Sequence, residues 1–401
     1  MHHIPLVKPH LPTLEEVESE LRDMLRSGRL TNFGPFAALL EQRVRELLNL
    51  KYALCTSNGT TGLMLLLNML PRGSEVLVPS FTFLPTVQAI VWNSLVPVFV
   101  DIDATTYNCL PSAVASKITQ RTSAILAVHT FGNPCAVEEL EDIAHQNRLR
   151  LFFDSAHAFG ARCNGRYLGC FGDAEVFSLS ATKLLPCGEG GVIATNSDAV
   201  KEAILDRRNY GFMAGSRDCS NMGLNGKITE FSAILGTKEI EFVGREVARR
   251  NQVAGRYRSG LGCLPGLGFQ SVGPASTSSY KDFTITVDSG MFGSDRDTLR
   301  SELGTRGIET GVYFDPPIHR MAYFLSRTSR GNELRNTELI AERILSLPIY
   351  SELSDDEVEY VIASVIDSCR AGKKVGEAFS HRALCDEPDL GDLTTVAGAR
   401  S

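Results

Sequence analysis

Four short stretches of the chain place polar side chains directly beside apolar runs. In Leu151-Phe152-Phe153-Asp154-Ser155-Ala156-His157, a carboxylate ends a run so apolar that its charge must be paired or hydrogen-bonded. There Asp154 could hold a protonated ring nitrogen, or serve as an ordinary helix N-cap. In Phe177-Ser178-Leu179-Ser180-Ala181-Thr182-Lys183, followed by Gly188-Glu189-Gly190-Gly191, a lysine has little neighbouring bulk. Desolvation there lowers a lysine's pKa and suits Schiff-base chemistry, although most lysines are solvated surface groups. Cys55-Thr56-Ser57-Asn58-Gly59-Thr60-Thr61-Gly62 lies between a strand pattern and a helix pattern. Gly59 lets backbone approach an anion, and the N–H groups of Gly59–Thr61 begin the helix. That is a phosphate cup, or a plain strand–turn–helix with a threonine cap. In Pro79-Ser80-Phe81-Thr82-Phe83, aromatic rings just past a strand could cover a planar cofactor or fill core.

The elements around these stretches must present them together. Thr13-Leu14-Glu15-Glu16 is a capping box, and Val17, Leu21, Met24 and Leu25 follow at helical spacing until Ser27-Gly28. Pro35 opens a second amphipathic helix. Expected strands are Tyr52–Thr56, Glu75–Pro79, Val96–Val100, Ala124–Val128, Arg150–Phe153, Glu175–Leu179 and Gly191–Thr195. Helical patterns alternate with them at Thr61–Leu70, Thr82–Val91, Ser112–Ile118, Val137–Asn147 and Ala199–Arg208. Runs such as Val96-Pro97-Val98-Phe99-Val100 are apolar throughout, which predicts a mostly parallel sheet covered on both faces. Ligands of such sheets sit at the carboxyl ends of the strands, where the four stretches fall. After about Arg250 the pattern changes to short strands and separate helices, a smaller α+β domain. The expected division is 1–30, an N-terminal segment whose helix packs near the small domain; 31–249, a large α/β domain; 250–370, the small domain; and 371–401, a loose polar tail.

Composition excludes several function classes. At 43% hydrophobic and 22% charged, the chain has globular usage, and its 401 residues suffice for a large core. A net charge of −7 argues against a nucleic-acid backbone as partner. No run of apolar residues is long enough to span a membrane, and Met1-His2-His3-Ile4-Pro5 lacks the features of an export signal. Ten dilute cysteines, none in a C-x-x-C pair, read as reduced thiols and not as staples or metal ligands, so a cytoplasmic protein is expected.

A phosphate cup, an aromatic cover, a carboxylate and a lysine, in that chain order on one alternating sheet, resemble the fold-type-I enzymes that use pyridoxal 5′-phosphate. More closely, the chain is similar to the DegT/DnrJ/EryC1/StrS sugar aminotransferases from Ile4-Pro5-Leu6 to about Ser368. Its signposts include Leu30-Thr31-Asn32-Phe33-Gly34-Pro35, Asn58-Gly59-Thr60 and Val78-Pro79-Ser80-Phe81-Thr82-Phe83. Others are Pro97-Val98-Phe99-Val100-Asp101-Ile102-Asp103, Asp154-Ser155-Ala156-His157, Thr182-Lys183, Gly223-Leu224-Asn225 and Ser346-Leu347-Pro348-Ile349-Tyr350.

The resemblance implies an aspartate-aminotransferase-like fold, with Lys183 joined covalently to the cofactor and Asp154 partnering the pyridine nitrogen. His157 would face the cofactor's 3-oxygen, unless it is a satisfied core histidine. Gly59, Thr60 and Ser178 would bind the phosphate, and Phe83 would stack on the ring. Asn225 would reach the phosphate of a neighbouring subunit, so a homodimer with shared sites is implied. Lys227 and His319 would stand near the substrate, His319 having the plainer reading of a loop histidine. Lys227 occupies a place where many members carry Arg, and Phe159 replaces a frequent His. No metal is expected. The implied reaction takes an amino group from L-glutamate, through pyridoxamine 5′-phosphate, to a nucleotide-linked keto sugar. Glu189-Gly190-Gly191 resembles members acting on 4-keto sugars. Related enzymes that aminate cyclitols or other ketones share most of these residues, and a pyridoxal-phosphate-binding regulator without turnover is the reading from a different class.

Overall fold

The first seven principal strands of this computed structural model form one sheet, and the structure describes residues 3–213, 215–325 and 333–383. They are β1 (Tyr52–Thr56), β2 (Glu75–Pro79), β3 (Val96–Val100), β4 (Thr122–Val128), β5 (Arg150–Asp154), β6 (Ala174–Ser178) and β7 (Gly191–Thr195). Their spatial order is β1-β7-β6-β5-β4-β2-β3. Neighbouring pairs are parallel except at β7, which is antiparallel to both β1 and β6. All strands but β7 therefore end on one edge, and β7 begins there.

The unbroken apolar runs have a simple physical cause. Side chains alternate across the sheet, and both faces are buried. On β5, Phe153 joins one core cluster and Phe152 the other; on β2, Leu77 faces one way while Val76 and Val78 face the opposite way.

Helices α1 (Leu14–Ser27), α2 (Pro35–Leu48), α3 (Gly59–Leu67), α4 (Leu84–Trp92), α5 (Pro111–Ser116), α6 (Val137–Asn147), α7 (Asp198–Arg207), α8 (Glu230–Glu239) and α9 (Val243–Leu261) surround or extend this sheet. The Thr13/Glu16 capping box is formed. Val17 and Met24 of α1 pack with Ile234 of α8, so the first helix lies on the large domain, against expectation. What meets the later part of the chain is the segment before it: Ile4 bridges Ile308, with Ile4 N–H donating to the Gly307 carbonyl at 2.9 Å. Helix α4 starts at Leu84, two residues later than the pattern predicts, because Phe83 stays extended ahead of Pro85 in the first turn. Helix α3 starts two residues earlier than predicted, at Gly59.

A second sheet of β8 (Leu267–Phe269), β9 (Phe283–Val287) and β10 (Ile344–Leu347) is antiparallel throughout. It packs with α9, α10 (Arg296–Thr305) and α12 (Asp355–Ala383) around Tyr257, Phe283, Leu345 and Val361. Helix α11 (Arg335–Arg343) is capped from the first sheet. The Asp101 carboxylate, just after β3, accepts from Asn336 N–H at 3.1 Å and Thr337 N–H at 2.9 Å. Helix α12 continues past Ala371, where a loose tail was expected; helix-forming residues such as Ala371, Lys373, Lys374, Glu377 and Ala378 allow it. The remainder of that tail, 384–401, lies outside the described residues. Among the described residues no helix is long and apolar enough to cross a membrane.

Candidate active site

A cavity of about 520 Å³ opens at the edge where the parallel strands end. Its lining brings together Gly59, Thr60, Phe83, Asp154, His157, Ser178 and Lys183, every residue expected to meet the cofactor within one chain. Each arrives from its own strand end: Gly59 and Thr60 after β1, Phe83 after β2, Asp154 and His157 at β5, Ser178 at β6, and Lys183 in the loop that leads to β7.

The cup is built by close approach. A Cβ on Gly59 would lie 3.0 Å from the Ser178 Cβ, so the glycine lets the start of α3 sit tightly against β6. Asn58 caps the helix by accepting from Thr61 N–H at 2.7 Å. The N–H groups of Gly59 and Thr60 precede the first intrahelical bond and, with the Ser178 hydroxyl, can bind an anion.

Asp154 is buried at the cavity floor. One carboxylate oxygen accepts from the Thr86 hydroxyl at 2.7 Å, the other from Ala156 N–H at 3.1 Å. Burial pushes its pKa up, opposed by these two hydrogen bonds and then by the charge of Lys183. A cationic partner at the carboxylate would reverse that penalty. His157 is half-buried, and its Nδ1, shielded from solvent, has no hydrogen-bond partner. Desolvation, then the charges of Lys183 and Lys281, hold its pKa well below the usual imidazole value, so it is neutral. Burial and then the neighbouring Lys281 bring the Lys183 pKa down to about 8. Phe83 keeps 59% of its surface open and offers a ring to a planar ligand. An anion cup, a buried carboxylate, a cavity-lining imidazole and a softened lysine fit pyridoxal 5′-phosphate at its phosphate, ring nitrogen, ring oxygen and aldehyde.

Three expected residues lie elsewhere. Asn225 is exposed and bridges Asn209. The Lys227 ammonium sits 4.1 Å from the Tyr210 ring centroid. His319 does not line the cavity: its Nδ1 meets the Ser80 hydroxyl at 2.7 Å and its Nε2 meets Glu338 at 3.0 Å. Phe159 is buried edge-on to Phe177, in a setting with no use for a histidine.

Residues that sequence reasoning missed also line the cavity. Thr86, one turn into α4, reads in sequence as a helix residue. Lys281, Asp282, Tyr313 and Phe314 come from beyond Arg250 and close the cavity from the other side. The only sequence signal for the first two is an adjacent Lys-Asp pair directly before an apolar strand.

Comparison with known proteins agrees with this geometry. A model described as the DegT/DnrJ/EryC1/StrS aminotransferase family matches residues 13–366. The chain is 33% identical to a dTDP-4-amino-4,6-dideoxy-D-glucose transaminase of Shigella dysenteriae, over 90% of this chain and 97% of the relative. It is 31% identical to a GDP-perosamine synthase of Vibrio cholerae, over 89% of this chain and 97% of the relative. Among solved structures, DesI in the presence of its TDP-sugar product aligns with a TM-score of 0.88 at 32% identity, covering 95% of this chain and 96% of that one.

Proposed function

The chain belongs to the DegT/DnrJ/EryC1/StrS aminotransferase family and is a pyridoxal 5′-phosphate-dependent aminotransferase, and from that premise we propose that it moves an amino group from L-glutamate to a nucleotide-linked 4-keto-6-deoxyhexose. The observation that carries the reading is the convergence of Lys183, Asp154 and the Gly59–Ser178 cup on one cavity. The acceptor is supported by the products named for two relatives, which carry a 4-amino-4,6-dideoxyglucose and a perosamine, and by Glu189-Gly190-Gly191.

When bound, pyridoxal phosphate supplies the electron sink and carries the amino group between the two substrates. The protein's residues do the rest. Gly59, Thr60 and Ser178 hold the phosphate. The Asp154 carboxylate holds the proton on the ring nitrogen, and Thr86 keeps that carboxylate oriented. Lys183 would anchor the cofactor, and its free Nζ would be the general base that takes the proton from the donor's α-carbon. A pKa near 8 suits that task, because the amine both accepts and returns a proton near neutrality. His157, a cavity-lining imidazole whose pKa is held down by desolvation, would meet the cofactor's oxygen without adding charge. Phe83 covers one ring face and excludes water.

The working form is a homodimer. Trp92, Met222 and Leu224 are exposed around one groove, and Tyr210, Phe212 and Met213 are exposed nearby in sequence, an apolar surface suited to a second copy. In that dimer, Asn225 and Lys227 serve the partner's cavity, which accounts for their distance from their own. Exposed free thiols at Cys219 and Cys263 fit a reducing cytoplasm.

The decisive experiment is an absorption spectrum of the protein with pyridoxal phosphate before and after L-glutamate. A visible band replaced by the pyridoxamine band is expected; a band that ignores glutamate removes the donor, and no band removes Lys183 as anchor.

A further inference from the structure

The cavity holds a second buried cation that none of the cofactor contacts uses. Lys281 and Asp282 immediately precede β9 and are 5% and 3% exposed. The Lys281 ammonium lies 3.0 Å from the Asp282 carboxylate. Lys281 N–H donates to the Phe131 carbonyl at 3.0 Å, and the nearby Ser279 hydroxyl donates to the His157 carbonyl at 2.6 Å. The pair therefore hangs from the β4–β5 side of the cavity, while the cup lies at β1 and β6. It is too specific a placement for chance packing, because a buried ammonium is costly unless an anion meets it. Asp282 supplies one anion and engages one of three ammonium donors.

The cup already accounts for the cofactor's phosphate. The anions left in the reaction are the donor's carboxylates and the acceptor's diphosphate. An amino acid's α-carboxylate is bonded to the same carbon as the nitrogen that is transferred, so whatever reads it must lie beside Lys183. Lys281 lies there: it lines the same cavity as Lys183 and His157. We propose that Lys281, held in place by Asp282, binds the α-carboxylate of the amino donor and thereby selects amino acids over plain amines. This rests on the transaminase reading above.

The test uses the cofactor-loaded protein and glutarate, a dicarboxylate with no nitrogen to transfer, followed by calorimetry. Lys281→Met should weaken glutarate binding by about tenfold or more, and Lys281→Arg should recover most of it. The same Lys281→Met protein should lose a similar factor in its preference for L-glutamate over 4-aminobutyrate, which lacks the α-carboxylate. If Lys281→Met does not take up cofactor, Lys281→Gln, which keeps a hydrogen-bonding end without the charge, carries the test and should weaken glutarate binding likewise. Unchanged glutarate affinity in the variant tested overturns the proposal. So does a loss confined to the keto sugar, which would make the pair a reader of the acceptor's diphosphate. A wild-type protein that binds glutarate but transfers no nitrogen from any amino acid would sink the transaminase reading and leave the carboxylate site standing.

Discussion

At the scale of single residues, the site works by placing charge where it is expensive and then answering it. Lys183 is the clearest case. With its pKa brought down to about 8, the amine is protonated below that value and nucleophilic above it. Capture of pyridoxal phosphate by the apoprotein should therefore speed up as pH rises and level off above about 8, as stopped-flow absorbance would show; a midpoint near the ordinary lysine value would contradict the placement. Asp154 is answered by Thr86. Because that hydroxyl lowers the carboxyl's pKa, Thr86→Val should raise it, move the acid limb of the kcat profile upward, and cost about tenfold in kcat. Asp154→Asn should cost on the order of a hundredfold or more. Lys183 and Asp154 were legible because each breaks an apolar or small-residue stretch. Thr86 and Lys281 were not: a threonine in a helix and a charged pair before a strand look ordinary until the sheet edge brings them together.

At the scale of elements, two carboxylates, one half-buried and one fully buried, act as caps on helices distant in sequence. Asp101 caps α11, as described. Glu230, fully buried at the start of α8, accepts from Phe36 N–H at 2.8 Å and Ala37 N–H at 3.1 Å at the start of α2. A Cβ on Gly34 would fall 2.5 Å from the Glu230 carboxyl carbon, which explains the glycine before Pro35. Glu230→Ala leaves those donors unpaired beside the positive end of a helix, so it should lower stability by about 1–3 kcal/mol in chemical denaturation. A loss under a few tenths would mean water replaces the carboxylate. The helix starts themselves were readable from Thr13-Leu14-Glu15-Glu16 and Pro35. Their partners were not, since nothing in Gly34-Pro35 points to a carboxylate at position 230. The direction of β7 was equally hidden, because Gly191-Val192-Ile193-Ala194-Thr195 is the same apolar run whichever way it lies in the sheet.

At the scale of the whole molecule, the cavity is a joint property of both sheets: strand ends of the first supply the cofactor residues, and Lys281, Asp282, Tyr313 and Phe314 close it from the second. The proposed dimer extends the sharing to a second chain. Mixing Lys183→Ala with Asn225→Ala protein should give mixed dimers in which one cavity keeps both residues and the other loses both. Cofactor titration should then reveal a wild-type affinity that neither parent protein shows, whereas only the two parental affinities would confine each site to one chain. The reversed strand has a consequence of its own. Because β7 returns beside β6, the loop 179–190 leaves and re-enters the sheet at one edge, its ends one strand spacing apart, about 5 Å. Lys183 thus rides on a tether anchored at both ends, and in the proposed role its amine would meet the cofactor at an effective concentration that no dissolved amine can match. A simple alkylamine added to Lys183→Ala protein would have to approach molar concentration to restore even part of the transfer.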